Sequence, residues 1–313
     1  MSFNVYNEEG KGALNNFTPN SKMNDPALYK PSKALVNAVN VALALGQPLL
    51  LTGEPGTGKT QLAFNIAHFF NLGDPLVFNA QTTSTASDLF YRYDTLGHFQ
   101  YSQNKDAKIL SLDDVEERFI EYVGLGKAIK SNSRKVVLID EIDKAPRDLP
   151  NDVLAAVEDL EFKVPMVQKE YKTTTENRPI IIITSNSEKN LPDAFLRRVV
   201  YYHIPFPGPE TLLKILESKV DGFKSINFRQ IIKHFEAIRD SKTLKLKKKP
   251  ATAELIFWTM LLQKLDFDTT KLENVKGLEQ EDKQKLLTSY SVLAKNKDDL
   301  LKLEESIFGK KRS

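Results

Sequence analysis

The run Gly53-Glu54-Pro55-Gly56-Thr57-Gly58-Lys59-Thr60 constrains the fold more than any other stretch of the chain. Its G-x-x-x-x-G-K-T pattern cradles phosphate when a strand leads into it and a helix leaves it. Both flanks comply. Pro48-Leu49-Leu50-Leu51 reads as a short buried strand, and residues 61–70 place apolar side chains at helical spacing. Loop N–H groups and the helix N-terminus then converge on one spot and favour an anion there. The expected ligand is a nucleotide phosphate chain with Mg²⁺. Candidate contacts are Gly53, Glu54, Pro55, Gly56, Thr57, Gly58, Lys59, Thr60 and Gln61. Lys59 would reach the β- and γ-phosphates, and the Thr60 hydroxyl would ligate the metal.

Other segments place this loop in a larger sheet. Residues 33–45 have helical periodicity, and Leu76-Val77-Phe78-Asn79 reads as a second strand. Residues 82–104 are polar and aromatic with no clear period, while 115–129 predict one amphipathic helix. Lys135-Val136-Val137-Leu138-Ile139-Asp140 is an apolar strand ending in an acid, followed by a helix over 148–160 with Pro150 in its first turn. Residues 161–178 read as a hairpin, and 179–184 and 199–204 as two more strands. Near-continuous apolar strands alternating with helices imply an α/β fold, a five-stranded parallel sheet covered on both faces. Pro205, Pro207 and Pro209 around Gly208 punctuate the chain before a helical, charged region. The expected organisation is a loosely ordered arm (1–27), an α/β core (28–207) and a small all-α domain (208–313).

Composition narrows the function classes. Cysteine is absent and the four histidines are scattered, which excludes disulfide frameworks, thiol chemistry and Cys-based zinc sites. A net charge of +3 is too small to imply nucleic acid by itself. The polar, Asn-rich start shows no signal-peptide h-region, and no apolar run approaches the ~20 residues of a membrane span. A cytoplasmic enzyme is the expectation.

A phosphate loop that hydrolyses its ligand needs further groups. Asp140, at a strand end, is placed to hold Mg²⁺ through water. Glu141 follows, placed to polarise an attacking water. Thr184-Ser185-Asn186 ends the neighbouring apolar run, so the Asn186 amide reaches the γ-phosphate and water if the two strands are adjacent. Arg197 and Arg198 follow a short helical stretch, where one Arg can serve a neighbouring subunit's phosphate or simply cap a solvated helix end.

Together these residues resemble the AAA+ ATPases, and within them the MoxR branch. Gly53 to Thr60 matches the Walker A motif, and Val137-Leu138-Ile139-Asp140-Glu141-Ile142-Asp143-Lys144-Ala145 the Walker B motif. The resemblance puts Asn186 at the sensor 1 position and Arg198 at the arginine finger, with Arg197 the close second. Tyr29-Lys30-Pro31 resembles the approach to the adenine pocket. Residues 85–93 resemble the MoxR insertion in helix 2, and 161–178 the insertion before sensor 1. The chain departs from the family at sensor 2: Lys248-Lys249-Pro250-Ala251-Thr252 holds no Arg, and Lys248 or Lys249 offers only a point charge instead. The resemblance makes the nucleotide ATP and implies a chaperone-like ATPase, a hexameric ring that remodels or matures a partner, often one with a von Willebrand factor A domain. Two alternatives compete. A nucleic-acid motor or loader has the lysines of 242–249 and the Gly309-Lys310-Lys311-Arg312 tail in its favour. A slow nucleotide switch has the missing sensor 2 Arg in its favour and an intact Glu141 against it.

Overall fold

The computed structural model describes residues 21–104, 108–187 and 191–308, so the first twenty residues of the expected arm and the basic 309–312 tail lie outside the described residues. The chain divides into two compact units. One comprises Pro31–Glu54 and Gly58–Pro205; the other comprises Phe206–Ser313, the segment up to Lys30, and Pro55–Thr57.

The first unit opens with α1 (Lys33–Leu45). The Ser32 hydroxyl caps it by accepting the Leu35 N–H at 3.1 Å, and it stops at Gly46 in the left-handed region. Then come β1 (Leu49–Thr52), α2 (Lys59–Phe69), β2 (Leu76–Asn79), β3 (Tyr91–Tyr93), α3 (Thr95–Gln103), α4 (Leu112–Phe119), β4 (Ile120–Tyr122) and α5 (Gly124–Lys130). The unit continues through β5 (Val136–Asp140), α6 (Leu149–Asp159), β6 (Glu161–Val164), β7 (Lys169–Lys172), β8 (Ile180–Thr184), α7 (Asp193–Leu196) and β9 (Val200–His203). Five strands form one sheet in the order β2-β5-β8-β1-β9, every pair parallel. The α/β expectation therefore holds. The inner strands β5, β8 and β1 are buried almost throughout, which is why their sequences are nearly continuous Leu, Ile and Val. Because all five strands run the same way, the segments after β1, β5 and β8 emerge at one edge.

One expectation fails. Residues 115–129 do not form a single helix: α4 ends at Phe119, Ile120–Tyr122 pairs antiparallel with β3, and α5 starts afresh at Gly124. The cause is a close backbone approach. A Cβ at Gly126 would sit 2.0 Å from the Phe90 carbonyl oxygen, so α5 packs its glycines where a continuous helix of larger residues cannot go. The stretch without a period, 82–104, supplies a 3-10 turn, β3 and α3. The 161–178 hairpin is present as β6 and β7, with Phe162 opposite Tyr171.

A carboxylate ties these insertions together. Glu116 of α4, its side chain 13% exposed, accepts from Lys130 Nζ at 2.7 Å and Tyr122 Oη at 2.6 Å, and also from Lys169 and Tyr171 of β7. Burial opposes its ionisation, but the hydrogen bonds from Lys130, Lys169, Tyr122 and Tyr171 win and hold it well below the usual carboxylate range. The Lys130 ammonium also lies 3.7 and 3.8 Å from the Tyr122 and Tyr171 ring centroids.

The second unit is helical: α8 (Pro209–Lys219), α9 (Ser225–Arg239), α10 (Thr252–Lys264), α11 (Gln280–Tyr290) and α12 (Lys297–Phe308). Leu212, Leu216, Ile231, Phe235, Trp258, Leu262 and Leu303 form its core, each fully buried. Sequence periodicity points to α8, α9, α10 and α12 but not to α11, whose buried face is only Leu286, Ser289 and Tyr290. The described part of the expected arm is pinned to this unit, with Lys22 Nζ 2.6 Å from Asp221 Oδ2.

Candidate functional site

The loop between β1 and α2 places its glycines where only glycine is at ease. Gly56 (φ 77°) and Gly58 (φ 89°) are left-handed, so a side chain at either would strain the turn that aims the loop N–H groups. Lys59 follows as the first residue of α2 and is 7% exposed; its Nζ donates to the Gly53 carbonyl at 2.8 Å and the Glu54 carbonyl at 3.0 Å. Burial lowers its affinity for a proton, and the nearby Asp140, Asp143 and Glu141 partly restore it. Thr60 Oγ1 lies 3.2 Å from both carboxylate oxygens of Asp140, the last residue of β5. Gln61 sits in the first turn of the same helix.

Past Asp140 the backbone turns sharply. Glu141 adopts φ 56°, ψ 47°, a left-handed conformation uncommon for a residue with a side chain. Its N–H donates to Thr184 Oγ1 at 2.9 Å, and that hydroxyl donates in turn to Asp140. β5 and β8 are neighbours, so Asn186 reaches the acids: its Nδ2 donates to Glu141 Oε1 at 3.2 Å and its N–H to Asp143 Oδ1 at 3.1 Å. The other Glu141 oxygen, Oε2, accepts from Lys144 Nζ. That hydrogen bond raises the Lys144 pKa above its ordinary value. Lys144, Thr184 and Asp143 received no role from sequence reasoning. The signal was present, since all three fall within or beside the motifs already singled out.

The remaining candidates, Arg198, Arg197 and Tyr29, have other partners. Arg198 is half exposed and its Nε lies 3.4 Å from Glu158 Oε1, while Arg197 closes α7 by donating its N–H to the Asp193 carbonyl at 3.2 Å. Tyr29 falls in the other compact unit, where its N–H donates to the Pro26 carbonyl at 3.3 Å. In that same unit Lys249 Nζ pairs with Asp240 at 3.0 Å, and Lys248 donates its backbone N–H to Asp299.

The donors around Thr60 and Asp140 are all oxygens, the chemistry that suits Mg²⁺, which keeps most of its waters and takes one or two protein ligands. Among the described residues no three or more His, Asp or Glu gather into a closed cage, and such a metal needs none. A glycine loop on an inner parallel strand, a desolvated lysine behind it and an acid pair on a nearby strand make this a P-loop nucleoside triphosphatase fold. Comparison with known proteins narrows the class. The AAA domain (dynein-related subfamily) matches residues 48–199, so this stretch carries an AAA-type ATPase domain. The mitochondrial Lon protease homolog 1 of Dictyostelium discoideum is 27% identical over 177 residues, covering 55% of this chain and 16% of that protein. The gas vesicle ATPase GvpN of Haloferax mediterranei is 26% identical over 207 residues, covering 63% of this chain and 58% of that protein. The chain thus spans less than two thirds of the length of these curated relatives. A crystal structure from Cytophaga hutchinsonii aligns over 83% of this chain and 81% of that one at 16% identity and a TM-score of 0.42. Among the described residues no helix is long and apolar enough to cross a membrane.

Proposed function

We propose that this chain is a MoxR-like AAA+ protein that hydrolyses MgATP and uses the energy to remodel or mature a partner protein. The observation that carries the hydrolytic part is the contact of the Thr60 hydroxyl with both Asp140 oxygens, beside a buried Lys59. Thr60 and Asp140 would hold Mg²⁺, which when bound neutralises charge on the transferring phosphoryl group. The loop from Gly53 to Gln61 orients the phosphates. Lys59 supplies a mobile cation, and Asp140 is kept in place by Thr184. Glu141 polarises water and Asn186 positions both Glu141 and the γ-phosphate. The resemblance alone assigns Tyr29 to the approach of the adenine. Residues 28–207 act as the ATPase core and 208–313 as its lid.

Glu141→Gln tests this directly. The amide keeps the shape but loses the anionic partner for water, and charge-assisted hydrogen bonds are about twice as strong as neutral ones. ATP binding, followed by calorimetry, should survive while phosphate release falls by about 100-fold or more. Hydrolysis by the variant at the wild-type rate would move the base elsewhere.

The finer reading rests on the MoxR resemblance: a hexameric, cytoplasmic ring, with Arg198 or Arg197 acting on the neighbouring subunit's nucleotide and a partner bearing a von Willebrand factor A domain. The exposure of Arg198 supports it, since its guanidinium is half exposed and pairs with a surface carboxylate that another group can replace. The nucleic-acid reading loses support, because Lys247 and Lys249 of the basic loop are paired with Asp298 and Asp240.

A further inference from the structure

Glu141 can serve as the water-polarising group only if its carboxylate offers water an oxygen with undiminished negative charge. In this structure neither oxygen is free: Oε1 accepts from Asn186 and Oε2 from the Lys144 ammonium. The Asn186 bond is neutral and long, at 3.2 Å, and leaves the charge intact. The ammonium does not, because a cation in contact with a carboxylate takes up the charge that would otherwise draw a proton from water. Local geometry keeps the Lys144 ammonium within reach of the Glu141 carboxylate. A 3-10 turn over Ile142–Lys144 carries the Lys144 N–H back to the Glu141 carbonyl at 2.9 Å, which sets the two side chains three residues apart on one side of the turn. Glu141 is immobilised from the other direction by its N–H bond to Thr184 Oγ1. Its carboxylate can therefore leave the lysine only by side-chain rotation.

The pair is also built to be broken. Both side chains face solvent, 54% exposed for Lys144 and 41% for Glu141. Exposed ion pairs shift an equilibrium by no more than about five-fold, so a competing anion or a modest rearrangement releases the carboxylate. A catalytic acid locked by a buried pair would need far more.

We infer that Lys144 is a positioning residue that draws the Glu141 carboxylate away from water and thereby holds down the basal rate of ATP hydrolysis. This rests on the proposed role of Glu141. It assigns to Lys144 an effect opposite in sign to that of every other charged residue of the site: removing it speeds the reaction.

The test compares full-length wild type with Lys144→Met, Lys144→Arg and the double variant Lys144→Met/Glu141→Gln, measuring kcat and KM for MgATP, ATP affinity and thermal stability. Lys144→Met should raise kcat about two- to five-fold with KM and ATP affinity unchanged. Lys144→Arg, which keeps the cation, should return to the wild-type rate, and the double variant should be as slow as Glu141→Gln alone. A purely structural role for Lys144 cannot raise kcat at constant KM. A fall in kcat on Lys144→Met, an unchanged kcat in a folded ATP-binding variant, or a gain that persists without Glu141 each overturns the inference. Failure of the underlying reading looks different: wild type itself then shows no hydrolysis, or Glu141→Gln alone costs nothing.

Discussion

In the α/β unit Lys59 is 7% exposed and its ammonium donates to two backbone carbonyls, whereas in the helical unit Asp299, with no exposed surface, is fully engaged. Asp299 accepts from the Lys247 N–H at 2.9 Å, the Lys248 N–H at 3.1 Å and Asn296 Nδ2 at 2.6 Å. Arg239 shows the same economy: Nη1 donates to the Pro250 carbonyl at 2.6 Å while the guanidinium lies 3.6 Å from the Phe206 ring centroid. The helical unit buries polar groups to fasten loops onto helices. The α/β unit, at the edge where its parallel strands end, keeps charge desolvated and ready for a ligand. Desolvation that nearby carboxylates only partly offset costs stability and is what makes a group respond to an arriving anion.

The contrast is sharpest at Lys59. Lys59→Ala should abolish measurable ATP affinity in calorimetry and all turnover, while leaving the thermal midpoint equal to or above that of wild type. A large loss of stability would mean that Lys59 belongs with the structural charges. Arg198→Ala should bind ATP normally yet hydrolyse it on the order of 10³-fold more slowly, the scale of arginine fingers in other P-loop enzymes. Mixing it with Lys59→Ala subunits should recover part of the activity through interfaces that join an intact loop to an intact finger. No recovery in a confirmed co-assembly would leave Arg198 with its Glu158 pair alone.

Glu116 breaks the comparison from within, since it is a structural charge in the α/β unit. Glu116→Ala removes a buried carboxylate and leaves Lys130 enclosed by two tyrosines, so urea unfolding followed by circular dichroism should show a loss of about 3–5 kcal/mol. A loss below 1 kcal/mol would reclassify the network as a solvated surface cluster.

The smallest effect belongs to the helical unit and to pH. His234 Nδ1 donates to the Leu272 carbonyl at 3.2 Å, which makes Nε2 the acceptor for Tyr290 Oη at 2.6 Å. Burial pushes its pKa down to about 4. Unfolding restores a value near 6.5, so between these limits the unfolded chain binds more protons and stability falls as pH drops. From pH 7 to pH 4.5 the cost should be about 2–3 kcal/mol, and it should be absent in His234→Asn. Trp258 is the sole tryptophan and stacks on His234 at 5.8 Å between centroids, so its fluorescence reports the transition. An identical acid slope in wild type and variant would place the titration elsewhere.

Much of this was legible in the amino-acid sequence. The glycine loop, its flanking strand and helix, the acid at the end of β5 and the hairpin at 161–178 are local patterns, and local sterics and periodicity decide them. The split of 115–129 into α4, β4 and α5 was not legible, because it depends on how closely Gly126 approaches the backbone of Phe90, residues far away in sequence. The same holds for α11, whose thin apolar stripe is helical because it packs on Trp258 and its neighbours.

What the sequence determined by itself is the class of chemistry, since G-x-x-x-x-G-K-T and Asp140-Glu141 carry it in eight and two consecutive residues. What only the tertiary structure decided is the state of those groups. The pairing of Asn186 with Glu141 required β5 and β8 to be neighbours, and the contact of Thr60 with Asp140 spans 80 residues of chain. Distances between side chains from different strands are set by sheet order and register, which no linear pattern encodes.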